Sequence, residues 1–441
     1  MRFCVSSNAP TQGSIISQIK RHGPHQTAPG IWDQTLGTKP LGPNPWGQTV
    51  AIWLLENPPA APVAQMDRVL PSEGRGRTFE SSRARQSFQL AMPSLVAFLG
   101  VVLAISVLRR VAPHAGLMDL PGGRRTHAQP VPRVGGLAIG LGLAAALVVR
   151  GTHEPLPGAL LLAALLVLAG GALDDRLELS ARAKLLIQLL AASVMVEFGG
   201  ALLLHVGALF STSTLSFGGR FAVPFTVLGL VGVMNALNMI DGADGLAGGV
   251  TLAALLWFGV AAGLAGMSHH VAFITLLAGA VAAYLCFNAG GPLARRAPVF
   301  LGDAGSLLLG LLLAWLAISL TMAYAPALRP ITAVWILAVP VCDSVSLMLR
   351  RIARRRSPFA ADREHLHHLL ADLGLGRPAA VACMVAINLT LGGAALLAER
   401  HGVPESVLFY TAMLILAAYS AFAFRFYAQR PPAPQPASTP A

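Results

Sequence analysis

AVPFTVLGLVGVMNALNMIDGADGLAGGVTLAALLWFGV, residues 222–260, decides the fold. Two apolar runs, each about the length that crosses roughly 30 Å of hydrocarbon, are joined by a short polar stretch. That stretch carries Asn235, Asn238, Asp241 and Asp244 at steps of three. In a helical backbone such steps keep the four side chains on roughly one face. Carboxylates at a bilayer core are costly and mark binding or chemistry. Buried amides and carboxylates on one face need partners, which a nucleotide or a metal would provide.

The pattern recurs along the chain. Asp174 and Asp175 end an apolar run in LDDRLELSARAKLLIQ (173–188), and Asp303 starts one in FLGDAGSLLLG (300–310). A histidine cluster, SPFAADREHLHHLL (357–370), follows an arginine-rich run. Together they point to metal and phosphate chemistry at a membrane face. Plainer readings stand beside this one. Asp303 before a helix is a common N-cap, and Asp174-Asp175 reads also as a solvated span end partnered by Arg176. The small residues around Asp303 let a backbone and a pyrophosphate approach closely, and magnesium favours one or two carboxylates together with substrate phosphates.

Composition agrees with a membrane protein. Hydrophobic residues make up 54% and charged residues 12%, with a mean hydropathy of +0.62, against about 25% charged in soluble domains. The net charge of +12 does not imply nucleic acid, because no basic stripe interleaved with aromatics is present. Cys4, Cys286, Cys342 and Cys383 form no CxxC and read as small buried hydrophobes.

The expected architecture is all-α, a polytopic integral membrane helix bundle of about eleven spans, centred on 93–109, 134–150, 157–173, 183–204, 222–239, 246–266, 271–288, 305–322, 330–349, 379–398 and 405–424. One set of loops with the C-terminal tail carries 19 Lys and Arg and the opposite set only 4, which places the first set in the cytoplasm. Every acidic cluster and the histidine cluster fall on that side. A secondary transporter, the alternative from another class, would gather its ionisable residues near the midplane in two similar halves, and no internal repeat is seen. GGLAIGLG (135–142) reads as close helix packing rather than a nucleotide loop, since no strand precedes it.

Residues 92–428 form the expected membrane domain, followed by a Pro/Ala-rich tail over 429–441. Residues 1–91 are polar and lack a span-length apolar run. The segment from Val63 to Arg85 resembles a transfer-RNA gene read as protein, since Phe79-Glu80-Ser81 can be encoded TTC-GAA-TCN. The expectation is a translation start at Met92, with a disordered tail as the alternative.

From Met92 to about Arg377 the chain resembles the polyprenyl-phosphate N-acetylhexosamine-1-phosphate transferases. The resemblance runs through GLMDLPGGRRTHAQPVPRVGG (116–136), LDDRLELSARAKLLIQ, NALNMIDGADGLAGG (235–249), FLGDAGS, PVCD (340–343) and SPFAADREHLHHLL, in that order. It implies Asp174, Asp175, Asp241 and Asp244 as catalytic residues. Asn238 and Asp303 would lie at magnesium, with manganese as a second acceptable ion. Arg124, Arg125, His127, Lys184, Asn235, His365, His367 and His368 would bind substrate. Pro298 departs from the pattern, which has a basic residue there, and Arg295 or Arg296 is the expected substitute. HLHHLLADLGL (365–375) is similar to the N-acetylglucosamine branch rather than the phospho-MurNAc-pentapeptide branch, whose histidine run is longer and followed by Gly-Trp. The implied partners are UDP-N-acetylglucosamine, a polyprenyl phosphate and the bilayer, with a homodimer allowed. The implied location is the bacterial inner membrane, with the site at the cytoplasmic face. Attack by the lipid phosphate would expel UMP, directly or through an aspartyl-phosphate.

Overall fold

In the computed structural model, the described residues are 75–121, 129–150, 156–210, 212–290, 295, 298–357 and 364–429. The chain divides into Met1–Glu73 and Gly74–Ala441, and all described residues belong to the second unit. Among them are thirteen helices: α1 (Arg75–Ala115), α2 (Gly135–Arg150), α3 (Gly158–Leu177), α4 (Ala181–Glu197), α5 (Gly219–Ile240), α6 (Leu246–Leu264), α7 (Ser268–Asn288), α8 (Gly302–Thr321), α9 (Pro330–Ile336), α10 (Ala338–Ala353), α11 (Leu366–Asp372), α12 (Arg377–Arg400) and α13 (Glu405–Ala428). A two-stranded antiparallel pair, β1 (Met118–Asp119) and β2 (Val131–Pro132), completes the fold.

Eight helices are long and apolar enough to cross a bilayer by length and composition, and nine if the α9–α10 pair counts as one span. The other two expected spans, at 134–150 and 183–204, are helices of 16 and 17 residues. These fall short of the roughly 20 residues a straight crossing needs. The first helix starts at Arg75, before Met92, while its apolar span is Ala91–Ala115. The chain is a multi-pass helical membrane protein.

α8 is the axis of the bundle, with nearly every residue buried. Its enclosure requires close backbone approach, and Gly136 in α2 shows why the GGLAIGLG run packs as it does. A Cβ there would overlap the Gly305 backbone and stand 2.7 Å from the Ala304 carbonyl carbon. Cys286 differs from expectation, being exposed, and Cys342 and Cys383 are half-buried. In a membrane helix an apolar thiol gains nothing from the core over the lipid side.

The expected span at 330–349 is bent by 85° between α9 and α10. Pro340 in the first turn of α10 has no N–H to return to the preceding turn, so the helix stops and restarts. Broken helices survive at membrane depth only where the freed backbone groups find new partners. Asn388 of α12 supplies both: its Oδ1 accepts from Val339 N at 3.1 Å and its Nδ2 donates to Ile336 O at 3.0 Å. At the other end of α9, Glu399 accepts from Arg329 N through both oxygens at 3.1 Å. Replacing Asn388 with Leu leaves a buried donor and acceptor unmet. We expect a loss of about 1–3 kcal/mol, read as a lowered melting temperature in detergent, whereas Asn388→Gln recovers part of it.

Candidate active site

The acidic clusters meet because three helix ends converge. α3 stops at Leu177, the chain turns through Glu178 in a left-handed conformation (φ 50°), and Ser180 caps α4 by accepting from Ala183 N at 3.3 Å. Asp174 stabilises the turn, its Oδ1 accepting from Leu179 N at 2.7 Å. α4 therefore runs back along α3 and brings Lys184, one turn in, to an ion pair with Asp174 Oδ2. Lys184 Nζ also pairs with Asp303 Oδ2 at 2.8 Å. From α5, Asn238 Nδ2 donates to Asp303 Oδ1 and to Ser306 Oγ, both at 2.9 Å. Asp303 is thus held by one side chain from each of two neighbouring helices.

Asp303 is not the cap of its own helix. Asp175 is: its Oδ1 accepts from Asp303 N at 3.0 Å and its Oδ2 from Ala304 N at 3.2 Å. A carboxylate satisfying the free N–H groups of a helix start also meets the positive end of its dipole. Gly302 makes the contact geometrically open, with φ 74° and a position where any Cβ would lie 2.5 Å from Asp175 Oδ2. Asp174 and Asp175 are only 3% and 6% exposed, so they are not a solvated span end. Their partners are Lys184 and the α8 backbone rather than Arg176.

β2 delivers the loop before α8. Phe300 N donates to Pro132 O at 2.9 Å, and Gly135 N and Gly136 N donate to Phe300 O and Leu301 O at 2.9 and 2.8 Å. Arg133, which the sequence did not single out for the site, forms an ion pair with Asp119 and reaches Asp175 O at 3.5 Å. Burial alone would lower the Arg133 pKa, but the Asp119 hydrogen bond and charge outweigh it and raise it. A cleft of about 280 Å³ opens here, lined by Arg133, Asp174, Glu178, Leu179, Lys184 and Asp303.

Asp241 closes α5, and no described residue engages its carboxylate in a hydrogen bond. Desolvation, followed by repulsion from Asp303, Asp175 and Asp244, holds it well above the usual carboxylate range. Asp244 lies apart, on a second cleft of about 220 Å³ with Phe287, Asn288, Gly290, Arg295, Pro298 and Phe300. Arg295 shares that cleft with Pro298, as a basic substitute for Pro298 would. Asn288 ties the cleft walls, accepting from Gly245 N at 2.6 Å and donating to Val299 O at 3.0 Å.

Asn235 does not face these clefts with a free amide. Its Nδ2 donates to Gln188 Oε1 at 2.5 Å and Val231 O at 2.9 Å, and its Oδ1 accepts from Gln188 Nε2 at 3.2 Å. The pair joins α4 to α5 one turn beyond Lys184; Gln188 ends the LDDRLELSARAKLLIQ stretch, where nothing marked it as a partner of Asn235. Arg124, Arg125 and His127 lie outside the described residues.

The histidine cluster packs against the 241–245 turn. His367 is 7% exposed, and a Cβ on Gly242 would lie 3.1 Å from its Cε1 and Nε2. Neither ring nitrogen of His367 has a hydrogen-bond partner among the described residues. Burial, then the neighbouring His368 and His365, lower its pKa to about 3. His365 and His368 flank it, with ring centroids 5.7 and 4.0 Å away.

Two outcomes follow from this geometry. Asp175→Asn keeps one acceptor where two are needed and should lower the melting temperature through a loss of about 1–3 kcal/mol, while Asp174→Asn should change it less. For His367, a folded pKa of about 3 against about 6.5 unfolded means that the unfolded chain binds more protons between those values. Its contribution to stability is therefore complete above about pH 6.5 and is lost as pH falls toward 3. The melting temperature should drop between pH 7 and 5, and less steeply in His367→Gln.

The description glycosyl transferase family 4 matches residues 158–321 of the chain. An undecaprenyl-phosphate alpha-N-acetylglucosaminyl 1-phosphate transferase of Escherichia coli O157:H7 is 32% identical over 323 residues, 73% of this chain and 88% of that protein. Proteins of the same name from Salmonella typhi and Haemophilus influenzae are 32% and 31% identical, over 75% and 71% of this chain and 90% and 88% of their own lengths. Identity of this order along nearly the whole of these relatives reflects common descent and a common fold: the chain belongs to glycosyl transferase family 4.

Proposed function

We propose that the protein transfers N-acetylglucosamine 1-phosphate from UDP-N-acetylglucosamine to undecaprenyl phosphate and releases UMP. The relatives bear the name of that activity. The observation that carries the reading is the meeting of Lys184, Asn238 and Asp174 around Asp303 at the end of apolar helices. Such a position lets a water-soluble diphosphate and a lipid headgroup reach the same groups. The Lys and Arg asymmetry supports a site at the cytoplasmic face of the inner membrane.

Magnesium fits the residues present. Among the described residues no three His, Cys, Asp or Glu side chains are arranged to hold a metal alone. Magnesium asks for less, using one or two carboxylates with phosphates and water. Asp303 and Asp174 offer hard oxygens, and burial together with repulsion from the neighbouring carboxylates raises Asp241, a crowding that a dication would relieve. The ion would screen the diphosphate and stabilise the departing UMP. Asn238 turns its nitrogen to Asp303, so its part is to orient that carboxylate.

The chain's own groups do the rest by positioning and charge. Lys184 and Arg133 line the cleft that receives phosphate. Asp174, beside Lys184 at the cleft, is placed to take the proton of the lipid phosphate as it attacks the sugar-side phosphorus. Asp175 is committed to the α8 backbone and holds Asp303 in place. The second cleft, with Phe287 and Phe300 as apolar faces and Arg295 and Asp244 as polar ones, receives the uridine end. The histidine cluster over Gly242 closes on the sugar phosphate.

Membranes containing the protein should convert labelled UDP-N-acetylglucosamine into lipid-extractable label and UMP, with UMP formed only when undecaprenyl phosphate is present. Added UMP should drive the reaction backward. Asp303→Asn should remain inserted yet keep less than about a tenth of the activity, because the amide preserves shape and loses the charge. UMP release without lipid phosphate would refute direct attack, and label entering lipid only from the pentapeptide donor would refute the sugar.

A further inference from the structure

Asp343 of PVCD sits on α10 and is almost wholly buried. Its Oδ1 accepts from Leu366 N at 2.9 Å and from the Tyr419 hydroxyl at 2.7 Å, and its Oδ2 faces His365 Nδ1 at 2.9 Å. A backbone N–H and a phenol at a carboxylate act as donors, and the third contact completes the set when Nδ1 also donates. Two turns further along α10, Arg350 is 2% exposed and donates to Glu364 O at 2.7 Å. Its guanidinium stands 5.8 Å from the ring centroids of both Tyr419 and Tyr427. Arg354 pairs with Glu364 and lies 5.3 Å over Phe424. Three successive residues at the entry to the histidine cluster, Glu364, His365 and Leu366, are therefore gripped by α10, and α10 is gripped by α13.

We propose that Asp343, itself held by Tyr419, is a positioning residue for donor binding: it fixes His365 with Nδ1 as donor and so presents Nε2 as an acceptor to a hydroxyl of the donor sugar. The hydrogen bond at one ring nitrogen sets the state of the other. The inference rests on the donor-binding role given above to the histidine cluster. It makes α13, which lies beyond the matched residues 158–321, part of the donor site rather than a lipid-facing support.

The decisive variant is Asp343→Asn. Its single oxygen must serve Leu366 N and Tyr419, which turns the amide nitrogen, a donor, toward His365. Nδ1 then has to accept, and the proton moves to Nε2. Tyr419→Phe removes one donor with little change of shape and guards against a fold that fails to form. With UDP-N-acetylglucosamine and undecaprenyl phosphate, Asp343→Asn should raise the donor KM about tenfold, the factor for roughly 1.4 kcal/mol. Tyr419→Phe should raise it less, and neither should change the lipid KM. Solid-state ¹⁵N spectra of histidine-labelled protein, with the His365 signal assigned by its loss in His365→Gln, should show Nδ1–H in the wild type and Nε2–H in Asp343→Asn. An unchanged donor KM in both variants, a fall in kcat with KM unmoved, or an unaltered His365 tautomer in Asp343→Asn would overturn the proposal. A wild-type protein inactive with UDP-N-acetylglucosamine would instead overturn the proposed function, while the spectra would still report whether Asp343 sets the tautomer.

Discussion

The site depends on the carboxylate of Asp175 lying across the start of α8. A helix that begins inside a membrane protein exposes N–H groups with no intrahelical partner, and at low dielectric each unmet donor is costly. Asp175 meets two of them from another helix, which ties the end of α3 to the beginning of α8. With its own backbone already capped, the Asp303 side chain is released to face Lys184 and Asn238. Helix capping, usually a local matter, here decides which carboxylate turns to Lys184 and Asn238.

The same requirement shapes the rest of the interior. Where Pro340 interrupts a span, Asn388 answers both freed backbone groups. Where α4 and α5 pass, Gln188 and Asn235 answer one another. Each polar pair sits close to an element carrying a site residue: Gln188 one turn from Lys184, Asn235 one turn from Asn238. In a setting where apolar packing differs little from lipid contact, directional polar pairs of this kind determine helix register.

Charge distribution divides the labour among the acids. Asp174 and Asp303 have Lys184 beside them, Asp175 has two backbone donors, and Asp241 is buried with Asp303, Asp175 and Asp244 repelling it. Four aspartates that look alike as letters therefore occupy three electrostatic environments. The histidine cluster is a fourth environment, anchored from behind by Asp343, Arg350 and Arg354 and resting on Gly242.

Much of this was determined by the sequence alone. Long apolar runs call for membrane helices, and acids at their ends are retained only with partners, so the helical bundle and the polar positions could be read before any coordinates. The motif order carried the family. The sequence could not decide how many runs cross straight, because a bend at Pro340 depends on Asn388, 48 residues away, and the two 16- and 17-residue helices are too short to judge by pattern. Nor could it tell whether Asp303 or Asp175 caps α8, or whether Asn235 pairs with a neighbouring helix. Both alternatives use the same residue type at the same spacing, and only the through-space partner, Asp175 in one case and Gln188 in the other, selects between them. Tyr419 carried no signal at all, since a tyrosine in an apolar helix is unremarkable until the fold sets its hydroxyl against a buried carboxylate.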